Sequence, residues 1–147
     1  DDLTSDRQVL NPADLGFHNI LKEPSGRLRF IDLEYFGWDD PAKLVSDFLW
    51  HPGMSLSKAQ MAMWLDGTIK LFQTDSSFLG RLIAMFPVYG MRWSLIVLNL
   101  FLRRSLEPGT LDHVFLKQLI KSRELVAQVE QWMNNQHEWH TRTQISG

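Results

Sequence analysis

The stretch Pro12-Ala13-Asp14-Leu15-Gly16-Phe17-His18-Asn19, followed by Phe30-Ile31-Asp32-Leu33-Glu34-Tyr35, decides how this chain is read. Asp14 and Asn19 lie five positions apart. Between the two stretches, Glu23-Pro24-Ser25-Gly26 is a turn signal flanked by the short runs Ile20-Leu21 and Leu28-Arg29-Phe30-Ile31, which read as paired strands. Val9-Leu10 reads as a further strand fragment. A hairpin centred between Ser25 and Gly26 pairs residues whose numbers sum to 51, which sets Asn19 opposite Asp32. Cross-strand neighbours have Cβ atoms about 5 Å apart, so both side chains would reach one cation. A slip of one residue would turn one of them to the other face.

Composition sets the bounds around this segment. The 147 residues fit one domain, 1–147, with enough chain to bury a core. Apolar residues make up 44%, which argues against disorder. There is no cysteine, so disulfides, Cys-based zinc sites and a Cys nucleophile are all excluded. A net charge of −2 gives no reason to expect a nucleic-acid partner. The longest apolar run, Trp93 to Leu102, is interrupted by Ser94 and Asn99 and falls short of the ~20 residues that cross a bilayer. Asp1-Asp2 is the opposite of a basic leader. The expectation is a soluble, cytoplasmic protein with no membrane partner.

Near residue 50 the pattern changes from short runs and turns to helical periodicity. Asp40 reads as a helix N-cap with Pro41 in the first position, opening a helix that carries Asp47 among apolar neighbours. Ser57-Lys58-Ala59-Gln60 is a capping box ahead of the stripe Met61, Trp64, Leu65, Thr68 and Phe72. Asp75 or Ser76 would cap the next helix, with Phe78, Leu79, Leu82, Ile83 and Phe86 inward. Pro87 is expected to break it and start a third, Val88 to Arg104, apolar nearly all round and so the buried centre of a bundle. Pro108-Gly109 precedes a fourth helix, with Thr110 as N-cap and Leu111, Phe115, Leu119, Val126, Val129 and Met133 as its stripe. The expected class is α+β, mostly α: residues 1–50 hold the polar loop and hairpin, and 51–140 form a helical region.

Asp-x-x-x-x-Asn, a hairpin, Ile-Asp-x-Glu, then Asp-Pro and a further Asp resembles the carboxy-terminal, protein-kinase-like lobe of the aminoglycoside phosphotransferase and choline kinase group. The resemblance spans residues 8 to 50 and rests on Asp14, Asn19, Asp32, Glu34, Asp40-Pro41 and Asp47. It implies transfer of phosphate from ATP to a hydroxyl of a small molecule. Asp14 would orient or deprotonate that hydroxyl, and Asn19 and Asp32 would hold Mg²⁺ on the nucleotide phosphates. Asp47 would brace the loop from beneath. Glu34 would touch metal or substrate, or else pair with an arginine, and His18 would pack near the site. The helices after residue 50 would bind the substrate.

Two features depart from the family pattern. Pro12-Ala13 stands where the family carries His-Gly. The stretch ahead of Val9 has no room for a Gly-rich loop or a strand-borne lysine, so the amino-terminal nucleotide lobe is expected to be absent. The alternative reading is a non-catalytic module that needs a partner lobe or a second copy of itself, and a blander one is a scaffold whose acidic loop is coincidental. Ten of the 17 acidic residues precede position 48, which argues against a polycationic acceptor held by the helical half. Trp38, Trp50, Trp64 and Trp93 read as core. Arg92 and Asn99 either line a pocket or satisfy buried carboxylates, and His137 with His140 completes no zinc pattern.

Overall fold

Strand β1 (Val9–Asn11) pairs antiparallel with β4 (Gly37–Asp39), and between them β2 (Ile20–Lys22) pairs with β3 (Leu28–Phe30). These two small ribbons, in a computed structural model that describes residues 3–102 and 112–135, frame the polar loop. The structure is α+β and mostly helical. Helices α1 (Pro41–Trp50), α2 (Lys58–Leu71), α3 (Phe78–Val97) and α4 (Asp112–Asn134) follow the strands.

The β2–β3 hairpin corrects the expected register. Ile20 faces Phe30, Leu21 faces Arg29 and Lys22 faces Leu28, so paired numbers sum to 50 and Asn19 stands opposite Ile31 instead of Asp32. The cause is Gly26. Its φ of 86° adds a left-handed residue after a turn closed by Gly26 N–H to Glu23 O at 2.8 Å, and Glu23 N–H then bonds Arg27 O at 2.9 Å. The loop is therefore three residues, Pro24-Ser25-Gly26, and not two.

The chain forms two compact units, Asp1–Tyr89 and Gly90–Gly147, whose boundary falls inside α3. In the first, α1 is the centre. Asp40 caps it by accepting Ala42 N–H at 2.9 Å, and Pro41 occupies its first turn. Ala42, Val45, Phe48 and Leu49 are buried, and Phe48 stacks on Trp64 of α2 with centroids 4.0 Å apart. The capping box at Ser57 and Gln60 forms in both directions. Trp50 donates its indole N–H to Phe86 O of α3 at 2.8 Å, which ties α3 to α1.

Pro87 does not break the helix; α3 runs through it. A proline inside a helix costs about 3 kcal/mol. Phe78, Leu82 and Phe86 are buried ahead of it and Gly90 behind it, so apolar packing offsets that cost. The later part of α3 is not a buried centre either: Val88, Met91 and Leu95 are exposed, and Trp93 and Ser94 carry its buried face. By length and composition the 25-residue segment Phe78–Leu102 could cross a membrane, longer than the Trp93–Leu102 run suggests. Arg81, within it, is bonded to Asp40 and Asp75.

In the second unit, Leu98–Leu102 forms a 3-10 turn, and Phe101 packs on Phe115 of α4 with centroids 4.5 Å apart. The expected stripe on α4 holds in part: Val129 is buried, and Phe115 and Val126 are half-buried. Leu119 and Met133 are exposed, whereas Ser122, Leu125 and Val129 are buried, three and four residues apart. Trp38 is also misplaced by sequence reasoning: it is 65% exposed on the β1–β4 ribbon, while Trp50 and Trp93 are buried. Thr110, Leu111, His137 and His140 lie outside the described residues.

Candidate functional site

The polar loop begins with strain. Asp14 N–H bonds Pro12 O at 2.7 Å around Ala13, whose φ is 62°, so a three-residue turn of the rare left-handed kind presents Asp14. Buried Asn11 holds this turn by accepting Ala13 N–H at 2.9 Å. Ala13 stands where the resembled family carries glycine, the residue that adopts such a φ without cost. A 3-10 turn, Phe17–Asn19, then closes the loop, with Phe17 edge-on to Phe48 and its N–H on the buried Met54 Sδ at 3.3 Å.

Asn19 completes the loop from inside. Its side-chain Nδ2 donates to the main-chain oxygen of Asp14 at 3.0 Å and to Asp14 Oδ2 at 3.3 Å. Asn19 Oδ1 takes no hydrogen bond among the described residues, so the oxygen of this amide remains available.

Two histidines converge on the same carboxylate. His18 Nε2 lies 3.4 Å from Asp14 Oδ2, and His51 Nε2 lies 3.3 Å from Asp14 Oδ1. Their rings stack with centroids 4.7 Å apart. His51 caps the C-terminal end of α1, its N–H on Asp47 O at 2.9 Å. Sequence reasoning missed it. Its only signal was its place four residues after Asp47, just past a helix whose start had been read correctly.

Asp14, His18 and His51 offer ligand atoms within 4.8 Å of one another, a spacing that a metal ion tolerates. Gly53 N–H donates to His51 Nδ1 at 3.0 Å, however. A metal-bound histidine uses its other ring nitrogen as a donor. With Nδ1 accepting, the proton of a neutral His51 sits on Nε2, which faces Asp14 Oδ1 across 3.3 Å, while His18 Nε2 bonds Oδ2.

The structure brings together Asp14, His18 and Asn19 and adds His51. It does not place Asp32 on the strand ladder with them. Asp32 lies one residue beyond Ile31, whose N–H bonds Asn19 O at 3.0 Å, and its φ is 59°. It is exposed and has no hydrogen-bond or ion-pair partner among the described residues. Glu34 is likewise exposed in the following turn. Asp47 is 4% exposed and meets Lys43 Nζ at 3.4 Å; the same ammonium reaches Asp39 at 2.8 Å. Arg92 and Asn99 are exposed.

Beside the loop, Leu15, Phe17, Phe30, Phe48, Met63 and Trp64 line an apolar groove of about 600 Å³. Away from it, Arg81 bonds Asp40, Asp75 and Ser77. That guanidinium and the Ser77 hydroxyl hold the Asp75 carboxyl well below its ordinary value, and the two carboxylates raise Arg81 further above its own.

Compared with known proteins, the chain matches no family model, no curated protein and no solved structure.

Proposed function

We propose that this chain is the catalytic half of an ATP- and Mg²⁺-dependent phosphotransferase acting on a hydroxyl of a small molecule, like the aminoglycoside phosphotransferase and choline kinase group. One observation carries the reading: Asn19 is fixed by its amide nitrogen to Asp14, which leaves its oxygen for a cation. Asp32 adds a carboxylate with no competing partner, held in a left-handed conformation close to the Asn19 backbone. Strain of this kind collects at working sites. An amide oxygen and a carboxylate suit a hard ion such as Mg²⁺, which takes one or two carboxylates and leaves its other positions to phosphates and water.

In this scheme Asn19 Oδ1 holds the ion. Asp32, which is not the cross-strand neighbour of Asn19 and leaves the ladder one residue beyond Ile31, would reach it by turning back through its left-handed conformation, with Glu34 in the following turn as a further carboxylate. A Mg²⁺ held by these groups would supply charge neutralisation on the nucleotide phosphates. Asp14 Oδ2, on the accessible edge of a side chain that is 42% exposed, accepts the proton of the acceptor hydroxyl. Such a base contributes roughly 10²–10⁴ in rate. The acceptor is a sugar or amino alcohol before a polycation, and an ATP-consuming reaction places the protein in the cytoplasm.

The second reading is a kinase-like module that works only with a partner lobe or a second copy. Exposed Phe30, Ile31, Leu33, Phe36 and Trp38 favour it, because a row of uncovered large apolar groups marks an interaction surface. Titration calorimetry with Mg·ATP separates the two. The catalytic reading expects binding heat in the wild type, lost in Asp32→Ala while the circular dichroism spectrum is unchanged. A wild type without heat removes it.

A further inference from the structure

Four observations around His51 have no place in the scheme above. Asp14 Oδ1 is buried and has no hydrogen-bond partner in line with it. The nearest donor is His51 Nε2 at 3.3 Å, an ion-pair separation longer than the 2.7–2.9 Å of a charge-assisted hydrogen bond. Gly53 N–H bonds His51 Nδ1 at 3.0 Å, so the neutral ring carries its proton on Nε2, on the side of Asp14. Both stacked rings also lie over glycines. A Cβ on Gly16 would come within 2.3 Å of the His18 ring, and one on Gly53 within 3.0 Å of the His51 ring. The backbone thus keeps space clear for both.

We propose that His51 is the positioning residue of Asp14: its Nε2–H donates to the buried Oδ1, and His18, stacked on it, keeps its plane. This rests on the phosphotransferase reading for its consequence, though not for its geometry. A carboxylate has two oxygens related by rotation about one bond. A donor on the inner oxygen stops that rotation and presents the outer one, Oδ2, to an acceptor hydroxyl. Asn19 and His18 both engage the outer oxygen, Oδ2, at 3.3 and 3.4 Å, which leaves the inner one to His51. The His51 contact is off-line as it stands, and catalytic hydrogen bonds commonly tighten once substrate is bound. The tautomer that makes this possible is set by a main-chain N–H two residues away, so it does not depend on a further side chain.

Long-range proton–nitrogen spectra of the wild-type chain read the geometry without any activity. The His51 signals, assigned by their loss in His51→Gln, are expected to show a neutral ring protonated on Nε2. In Asp14→Ala that proton should exchange faster with water. A proton on Nδ1, or an Nε2 proton indifferent to Asp14→Ala, overturns the proposal. In phosphoryl transfer, His51→Leu is expected to lower kcat about 100-fold with the KM for Mg·ATP unchanged, the cost of a misdirected catalytic group. His51→Gln keeps an N–H donor at the same reach and is expected to recover most of that loss. Equal loss in both folded variants overturns the role. A wild type that transfers no phosphate at all defeats the phosphotransferase reading separately, and the spectra still decide the contact.

Discussion

Arg81 grips Asp40 through two nitrogens, at 2.9 and 3.2 Å, and Asp40 is the residue that caps α1. One carboxylate therefore starts the central helix and anchors α3. Both side chains are mostly buried, at 19% and 23% exposure. Asp40→Ala removes the cap, about 1 kcal/mol, and strips a charge partner from Arg81, for a total of about 3 kcal/mol. Urea denaturation should show this, and the double variant Asp40→Ala/Arg81→Met should lose less than the sum of the single changes.

Asp75 shares that guanidinium at 2.8 Å, which lowers its carboxyl below the ordinary 3.8. The native state thus binds this proton later than the unfolded chain. Its contribution to stability is complete above the unfolded value and is lost as acid titrates the native group. Thermal melts should be flat with pH down to about 5 and then fall, and Asp75→Asn should start lower at neutrality with a shallower acid limb.

Asp32→Gly sets stability against function. Glycine adopts a φ of 59° without the cost an L side chain carries. The variant should be as stable as the wild type or up to about 1 kcal/mol more so, with the Mg·ATP heat lost. A destabilised variant would mean that the carboxylate supports the fold instead of a ligand.

Trp50→Phe keeps most of the ring and deletes the N–H that reaches Phe86 O. Losing one buried hydrogen bond costs about 0.5–1.5 kcal/mol. Denaturation should show a loss in that range, above the effect of shortening an exposed aromatic such as Trp38.

Pro87→Ala should stabilise. The substitution restores an N–H inside α3, where proline is about 3 kcal/mol worse than alanine, and part of the gain is returned by the freer unfolded chain. Melting should show an increase of about 1–2 kcal/mol. No gain would mean that the proline ring is itself compatible with the packing around Phe86.

Helix starts were legible because their determinants are local. Asp40-Pro41 and Ser57 with Gln60 each satisfy neighbouring main-chain groups within one turn, and both form as read. Helix continuity was not legible at Pro87, because it depends on apolar partners distant in sequence. On α4 the expected stripe holds at Val129 and fails at Leu119 and Met133, whose exposure residue type alone does not give.

In the candidate site, the five-residue step from Asp14 to Asn19 was legible as a pair of polar side chains, although the hydrogen bonds between them were not foreseen. The register of the hairpin was not, because one left-handed glycine moves every pair by a residue. The arrival of His51 at Asp14 was even further out of reach. It requires α1 to run its full length beneath the loop, and its tautomer is set by a main-chain N–H that exists there only after the chain has turned at Pro52-Gly53. Residue types and short spacings determine which groups are present and which neighbours they cap. Packing between distant segments decides which of those groups meet, because burial rewards a whole surface and no single residue encodes it.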